Sequence, residues 1–336
     1  MTSNQLSDTE PETVGVISFG RTVERQLVHR TALAEVFVTD MRPVGGDRYL
    51  AGAQLPLAHS YYSDHLAASA FDLLLLLEAS RQAAVYGAHR FLEVPVRTAF
   101  LVNTLAIELD GAAAALRGRL PGELHISTGY PEVERKGDRI RSIVVDQRLY
   151  LDGSPVGSAT MAVSALTARE HDALRYLQRR DPPSSTADAG PAPAGTAVVP
   201  ERVGRGRADN VVLADPGWAG GMLRAVVAPR FDNRSLFDHA YDHIPAMVLL
   251  EAARQLALLA FAEGAGRAAG RVAVVGATAG FRRFTELDEP VTAAVPAALS
   301  EGPAGRWTVP VAFTQGDVTV AKTTVTLACA NSVEED

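Results

Sequence analysis

Asp242 to Gly264 reads DHIPAMVLLEAARQLALLAFAEG: a run apolar on every side, with a carboxylate, a guanidinium and an amide (Glu251, Arg254, Gln255) set in its middle. Pro245 suits a first helical position, and Gly264 and Gly266 suit the far end. The segment therefore reads as one helix of roughly 28 Å at 1.5 Å rise per residue. A helix apolar all round is buried all round, so a sheet must wrap it. An earlier stretch, DLLLLLEASRQAAVYG (Asp72 to Gly87), repeats the pattern: five leucines, then Glu78, Arg81 and Gln82 at the same spacing. Residues at i, i+3 and i+4 share one helix face, so each helix carries a polar face inside an apolar environment.

The two motifs belong to a longer duplication. HRTALAEVFVTD (His29 to Asp40) aligns with GRGRADNVVLAD (Gly204 to Asp215), and VGSATMAVSAL (Val156 to Leu166) aligns with VTVAKTTVTLA (Val318 to Ala328). Three landmarks recurring in one order make a domain-sized repeat. Between the copies, DPPSSTADAGPAPAGTAVVP (Asp181 to Pro200) is poor in periodic hydrophobics and reads as a flexible linker. The expected organisation is an N-terminal tail 1–27, a first repeat 28–170, a linker 171–200 and a second repeat 201–330. Each repeat reads as a short strand, a loop rich in His, Asp and Tyr, the long helix, then alternating strands with Gly, Asp and Pro turns, an antiparallel α+β unit.

Composition narrows the function classes. A net charge of -7 argues against broad nucleic-acid binding, which needs basic surface to displace counterions. The apolar runs are broken by Glu and Arg before they reach bilayer length, so no membrane span is expected. The first residues, MTSNQLSDTEPETVG, lack the layout of a secretory signal, and the only cysteine is Cys329, which fits a reducing cytoplasm. No CxxC spacing, carboxylate cluster, phosphate loop or nucleophile elbow accompanies the polar residues, so neither a metal nor an organic cofactor is expected.

DHIPAMVLLEAARQ and GFRRFTELDEPV (Gly280 to Val291) resemble the helix and following strand of β-hydroxyacyl-carrier-protein dehydratases. The fuller resemblance is to the A-factor synthase family of γ-butyrolactone biosynthesis, through VHRTALAEVFVTD, a DH-containing loop before LLLLEASRQAA, and the second DHIPAMVLLEAARQ. That resemblance implies a double hotdog, in which each long helix is wrapped by an antiparallel sheet. It also implies a reaction: transfer of a β-ketoacyl group from acyl carrier protein to the hydroxyl of dihydroxyacetone phosphate. Rival readings on the same fold are a dehydratase or thioesterase acting on the thioester alone, and an acyl- or lactone-binding regulator without turnover. Monomer and homodimer both remain open.

Acyl transfer to an alcohol needs a proton acceptor, a polarised carbonyl and exclusion of water. Glu78 and Glu251 are the expected general bases, Arg81 and Arg254 the ligands of phosphate or oxyanion, and Gln82 and Gln255 the orienting amides, with backbone amides near Ala246 and Met247 on the carbonyl. The bland alternative is a structural Glu–Arg pair in each helix. A buried ion pair is a poor source of net stability, so its recurrence favours function in at least one copy. His65, His239 and His243, in the loops before the helices, are candidate substrate contacts, with loop hydrogen bonding as the alternative. Arg282 and Arg283 alternate along a strand, so only one of them is a phosphate candidate. His29 and Arg30 read as a solvated approach to a strand.

Overall fold

The computed structural model describes residues 16–66, 69–111, 114–188, 195–265, 269–297 and 299–329. The first repeat opens with a hairpin, β1 (Val38–Gly45) and β2 (Arg48–Leu55), closed by Gly45, Gly46 and Asp47, all at positive φ. The second opens likewise with β7 (Leu213–Ala219) and β8 (Met222–Val227) around Gly220 and Gly221. The sequence suggested one short strand here. Pro43, Pro216 and the glycines obscure the alternation, yet they lie at bulges and turns where a hairpin accepts them.

After each hairpin comes the long helix, α1 (Leu73–Arg90) or α3 (Ala246–Ala265). Asp72 caps α1 by accepting from the Leu74 amide at 2.8 Å, satisfying one of the orphan donors of the first turn. Along α1 only Arg81, Tyr86 and Arg90 reach the surface, as expected for a helix enclosed by sheet.

The remaining strands of the first repeat are β3 (Ala99–Leu109), β4 (Gly122–Lys136), β5 (Arg139–Leu151) and β6 (Ser154–Leu166). Those of the second are β9 (Val272–Phe281), β10 (Val291–Pro296), the two-residue β11 (Ser300–Glu301), β12 (Arg306–Gln315) and β13 (Val318–Cys329). All strands join one sheet in the order β1-β2-β4-β5-β6-β3-β9-β13-β12-β10-β8-β7, with β11 beside β12. The second half of that order mirrors the first, and antiparallel pairing of β3 with β9, from Thr104 opposite Gly280 to Glu108 opposite Gly276, joins the two halves. The result is a double hotdog. Among the described residues no helix is long and apolar enough to cross a membrane.

The stretch read as linker, 171–200, is in part helical. Thr167 and Glu170 form a capping box that starts α2 (Ala168–Arg179). This helix is pinned to the second repeat: Arg175 donates to both carboxylate oxygens of Glu286 and to the Asp242 carbonyl, Gln178 exchanges hydrogen bonds with the Phe284 backbone, and Arg179 reaches Glu286 and Asp288. Its partners lie far along the chain, which is why composition alone suggested a free segment.

Gly87 stands inside α1 because Tyr130 leaves no room for a side chain. The Tyr130 hydroxyl donates to the Ala84 carbonyl at 2.9 Å, and a Cβ at position 87 would overlap that hydroxyl and crowd the Met41 methyl. Gly87→Ala should therefore lower stability by about 1–3 kcal/mol, although helix propensity alone favours alanine by ~1 kcal/mol. A urea midpoint equal to or above the parent's would show that Tyr130 yields freely.

Candidate active site

Each long helix carries one saturated carboxylate. Glu78 is 0% exposed and accepts from Arg30 Nε (3.1 Å), from Arg81 Nε and Nη2 (both 2.8 Å) and from Gln82 Nε2 (2.7 Å). Glu251, also 0% exposed, accepts from Arg205 Nε and Nη2, Arg254 Nε and Nη2, Gln255 Nε2 and the Tyr61 hydroxyl. Each glutamine then closes on the backbone before the first strand. Gln82 bridges the Glu35 carbonyl and the Phe37 amide, and Gln255 bridges the Asn210 carbonyl and the Val212 amide.

This geometry changes the roles read from the sequence. Burial would raise the Glu78 pKa, but Arg30 and Arg81 overcome it and lower it from 4.5 to about 2. Glu251 is lowered further still by Arg205 and Arg254. The oxygens of both carboxylates are taken up by these donors, and each carboxylate holds its arginines in a fixed direction. Arg30 is buried rather than solvated, and Arg205, its counterpart 175 residues on, is buried completely. The sequence alignment of HRTALAEV with GRGRADNV already held these two arginines in register; their carboxylate partners, 48 and 46 residues away, were not visible in it.

Two cavities meet these clusters, and they are unequal. A cavity of about 500 Å³ lies between the repeats, walled by Arg30, Arg81 and His29 from the first repeat and by His239, Tyr241, His243 and Arg283 from the second, with Ala246 and Met247 at the start of α3. His171 and Ser185, from α2 and the segment after it, add to the wall. A mostly apolar cavity of about 80 Å³ lies beside α1, sharing His29, Arg81, Phe100 and Val102 with the wall of the larger one and lined also by Tyr130, Val145, Met161 and Val163. The related place beside α3, lined by His65, Asp72 and Arg254, is a void of only about 50 Å³. There Arg117 contacts the His65 ring at 3.0 Å, and its guanidinium lies over Phe71.

The residues singled out in the sequence therefore divide. Arg81, His239, His243 and Arg283 share the large cavity, with Glu78 and Gln82 behind Arg81. His65 and Arg254 line the small void, with Glu251 and Gln255 behind them. Arg282 is exposed and lines neither. Each cavity combines the helix of one repeat with the DH loop of the other.

His29, read as solvated, lies on the wall in a left-handed conformation (φ 54) where its counterpart is Gly204 (φ 74). Its Nε2 is 2.9 Å from His89 Nε2, and His89 Nδ1 is 2.8 Å from the Val94 carbonyl. A carbonyl only accepts, so His89 Nδ1 carries the proton and neutral His89 accepts from His29 Nε2–H. Burial, then His89 and Arg81, lower the His29 pKa from 6.5 to about 4.

A duplicated hotdog with a cleft between its halves defines the class of protein. The A-factor biosynthesis hotdog domain matches residues 12–167 and 186–331, and the chain belongs to that family. It is 31% identical over 309 residues to the 2-oxo-3-(phosphooxy)propyl 3-oxoalkanoate synthase of Streptomyces coelicolor, covering 90% of each chain. It is 30% identical to the Streptomyces virginiae protein of the same name, covering 70% of this chain and 76% of that one. A solved structure from Lactobacillus plantarum described as an oleoyl thioesterase shares the fold at a TM-score of 0.51 and 10% identity, covering 84% of this chain and 96% of that one.

Glu251→Gln strands Arg205 and Arg254 in the interior and should cost about 3–5 kcal/mol; Glu78→Gln should cost less, because Arg81 is 21% exposed and water can relieve it. Comparable losses in urea unfolding would contradict this ranking. Acid should also weaken the fold. The contribution of Glu78 is present above its unfolded pKa of 4.5 and is lost as pH falls through about 2. That of His29 is held above 6.5 and is lost as pH falls toward 4. Unfolding free energy should thus decline from about pH 6.5 downward, and a flat profile between pH 6.5 and 4 would exclude the His29 contribution.

Proposed function

We propose that this chain transfers a β-ketoacyl group from the thioester of acyl carrier protein to the hydroxyl of dihydroxyacetone phosphate, forming a 2-oxo-3-(phosphooxy)propyl 3-oxoalkanoate in the cytoplasm. The observation that carries the reading is the large cavity, cationic on one side and sharing four wall residues with a neighbouring apolar cavity, in a chain similar along nearly its whole length to synthases of that ester. The acyl tail lies in that apolar cavity beside α1, which brings the thioester carbonyl to the shared wall where Arg81 stands. Arg81 is fixed by two hydrogen bonds to Glu78, so its remaining donor capacity is pre-aimed at the oxyanion that forms on attack. The first amides of α3 have no partner within their own helix and lie on the same wall. Arg283 makes no ion pair or hydrogen bond among the described residues and is the ligand for the acceptor phosphate.

In the reaction the hydroxyl oxygen forms a bond to the thioester carbon, the C–S bond breaks, and the hydroxyl proton ends on the released thiol. Water in the site would divert the acyl group to the free acid. The segment from α2 to Ser185 contributes His171 and Ser185 to the wall and narrows access to it, held by Arg175 and by Thr186, whose amide donates to the Tyr241 carbonyl.

Mass spectrometry of the protein incubated with a β-ketoacyl thioester should detect the phosphorylated ester only when dihydroxyacetone phosphate is supplied. Free acid or enoyl product formed without the acceptor would replace this reading with a thioesterase or dehydratase, and absence of turnover would favour a binding protein. Arg283→Ala should raise the acceptor KM on the order of tenfold to a hundredfold, the worth of a charge-assisted hydrogen bond, and leave the thioester KM unchanged. An unchanged acceptor KM would move the phosphate elsewhere.

A further inference from the structure

We propose that Asp242 and His243 form the proton-transfer dyad of the large cavity: His243 Nε2 takes the proton of the attacking hydroxyl and returns it to the sulfur of the leaving thiolate. The inference rests on the acyl-transfer reading, which requires a base, while the oxygens of Glu78 are taken up by Arg30, Arg81 and Gln82. Four histidines stand on the wall, His29, His171, His239 and His243.

Among them only His243 has a carboxylate within hydrogen-bond distance among the described residues, with its Nδ1 2.6 Å from Asp242 Oδ1. An ionised carboxylate only accepts, so that contact puts a proton on Nδ1, and Nε2 is then the nitrogen left to exchange a proton with substrate. Burial would raise the Asp242 pKa, but His243 and Arg175 bring it from 3.8 to about 2, so it stays ionised. Arg175 Nε lies 2.9 Å from Asp242 Oδ2 as an ion-pair contact, and its Nη2 donates to the Asp242 carbonyl at 2.9 Å. The guanidinium is itself fixed by Glu286 and packs over the Phe284 ring, against which the His243 ring also stands.

The other three are worse placed. His239 Nδ1 is 3.8 Å from Asp238, whose oxygens already accept from the Thr31 and Ala32 amides. Protonation of His239 is opposed by burial and by Arg30 and Arg81. His29 donates to His89 and faces Arg81, so a proton there would be a cation beside a cation. His171 comes no closer than 3.8 Å to Asp172. The small void offers a comparison: His65 on its wall contacts Arg117 at 3.0 Å, and the neighbouring Asp64 accepts from the Arg207 amide and the Asn210 side chain, so the Asp-His pair there is engaged elsewhere.

The test uses full-length His243→Ala, His243→Asn and Asp242→Asn, with native folding checked by circular dichroism, in the two-substrate assay. His243→Ala should lower kcat by about 10²–10⁴-fold with little change in the acceptor KM, and added imidazole should restore part of the rate. Asp242→Asn should lower kcat without rescue by imidazole, because the ring remains but its tautomer is no longer fixed. Should the alanine variant not fold, His243→Asn carries the same kcat and KM comparison. An active parent whose His243 variants keep the parental kcat, or lose activity through KM alone, overturns the dyad. A parent that makes no ester overturns the acyl-transfer reading itself, and the dyad with it.

Discussion

Everything in this protein hangs on a carboxylate that would be intolerable in a core without its partners. Glu78 and Glu251 sit at the middle of enclosed helices, and each stays ionised only because two arginines and a glutamine surround it. One arginine comes from the same helix and the other from the turn before the first strand, so the cluster fastens helix to sheet as it satisfies its charge. The glutamine completes the fastening by hydrogen bonding the backbone just ahead of that strand. Desolvation makes the arrangement intolerant of partial assembly, which gives helix position and strand register a common origin.

The two clusters also touch each other's repeats. Tyr61 and Tyr62, neighbours in the loop before α1, are both buried, and Tyr61 donates across the molecule to Glu251 while Tyr62 packs against it edge-on. Asp238, in the loop before α3, accepts from the Thr31 and Ala32 amides of the first repeat. Ser60 and Ser235, equivalent in the two copies, meet at 3.1 Å. Together with the β3–β9 pairing, these contacts make a repeat an incomplete unit whose polar loop is satisfied only by the other copy.

The architecture was legible in the sequence because its cause is local. An all-round apolar helix requires an enclosing sheet, and the strands after each helix alternate cleanly. What could not be read was long-range. His29 and Arg30 looked solvated because charged residues ahead of a strand generally are, and only folding reveals Glu78 opposite Arg30. The α2 helix was missed although TARE, Thr167 to Glu170, is a capping-box signature that pattern alone offered. Glu78 and Glu251 were correctly singled out as unusual, but the number of donors on each cannot be counted from spacing. That Arg283 rather than Arg282 lines the cavity could not be read from alternation, because β9 ends at Phe281 and both arginines lie beyond it.

Joining the copies in one chain has a genetic consequence. In a dimer of identical subunits every substitution appears twice, at both symmetry-related places, so a change that suits one cleft is imposed on the other. Here His29 can stand opposite Gly204, and His243 can meet Asp242 while His65 meets Arg117, because each codon is written once. One cleft is thereby free to become scaffold, filled by Phe71, Arg117 and His65, while its twin stays open.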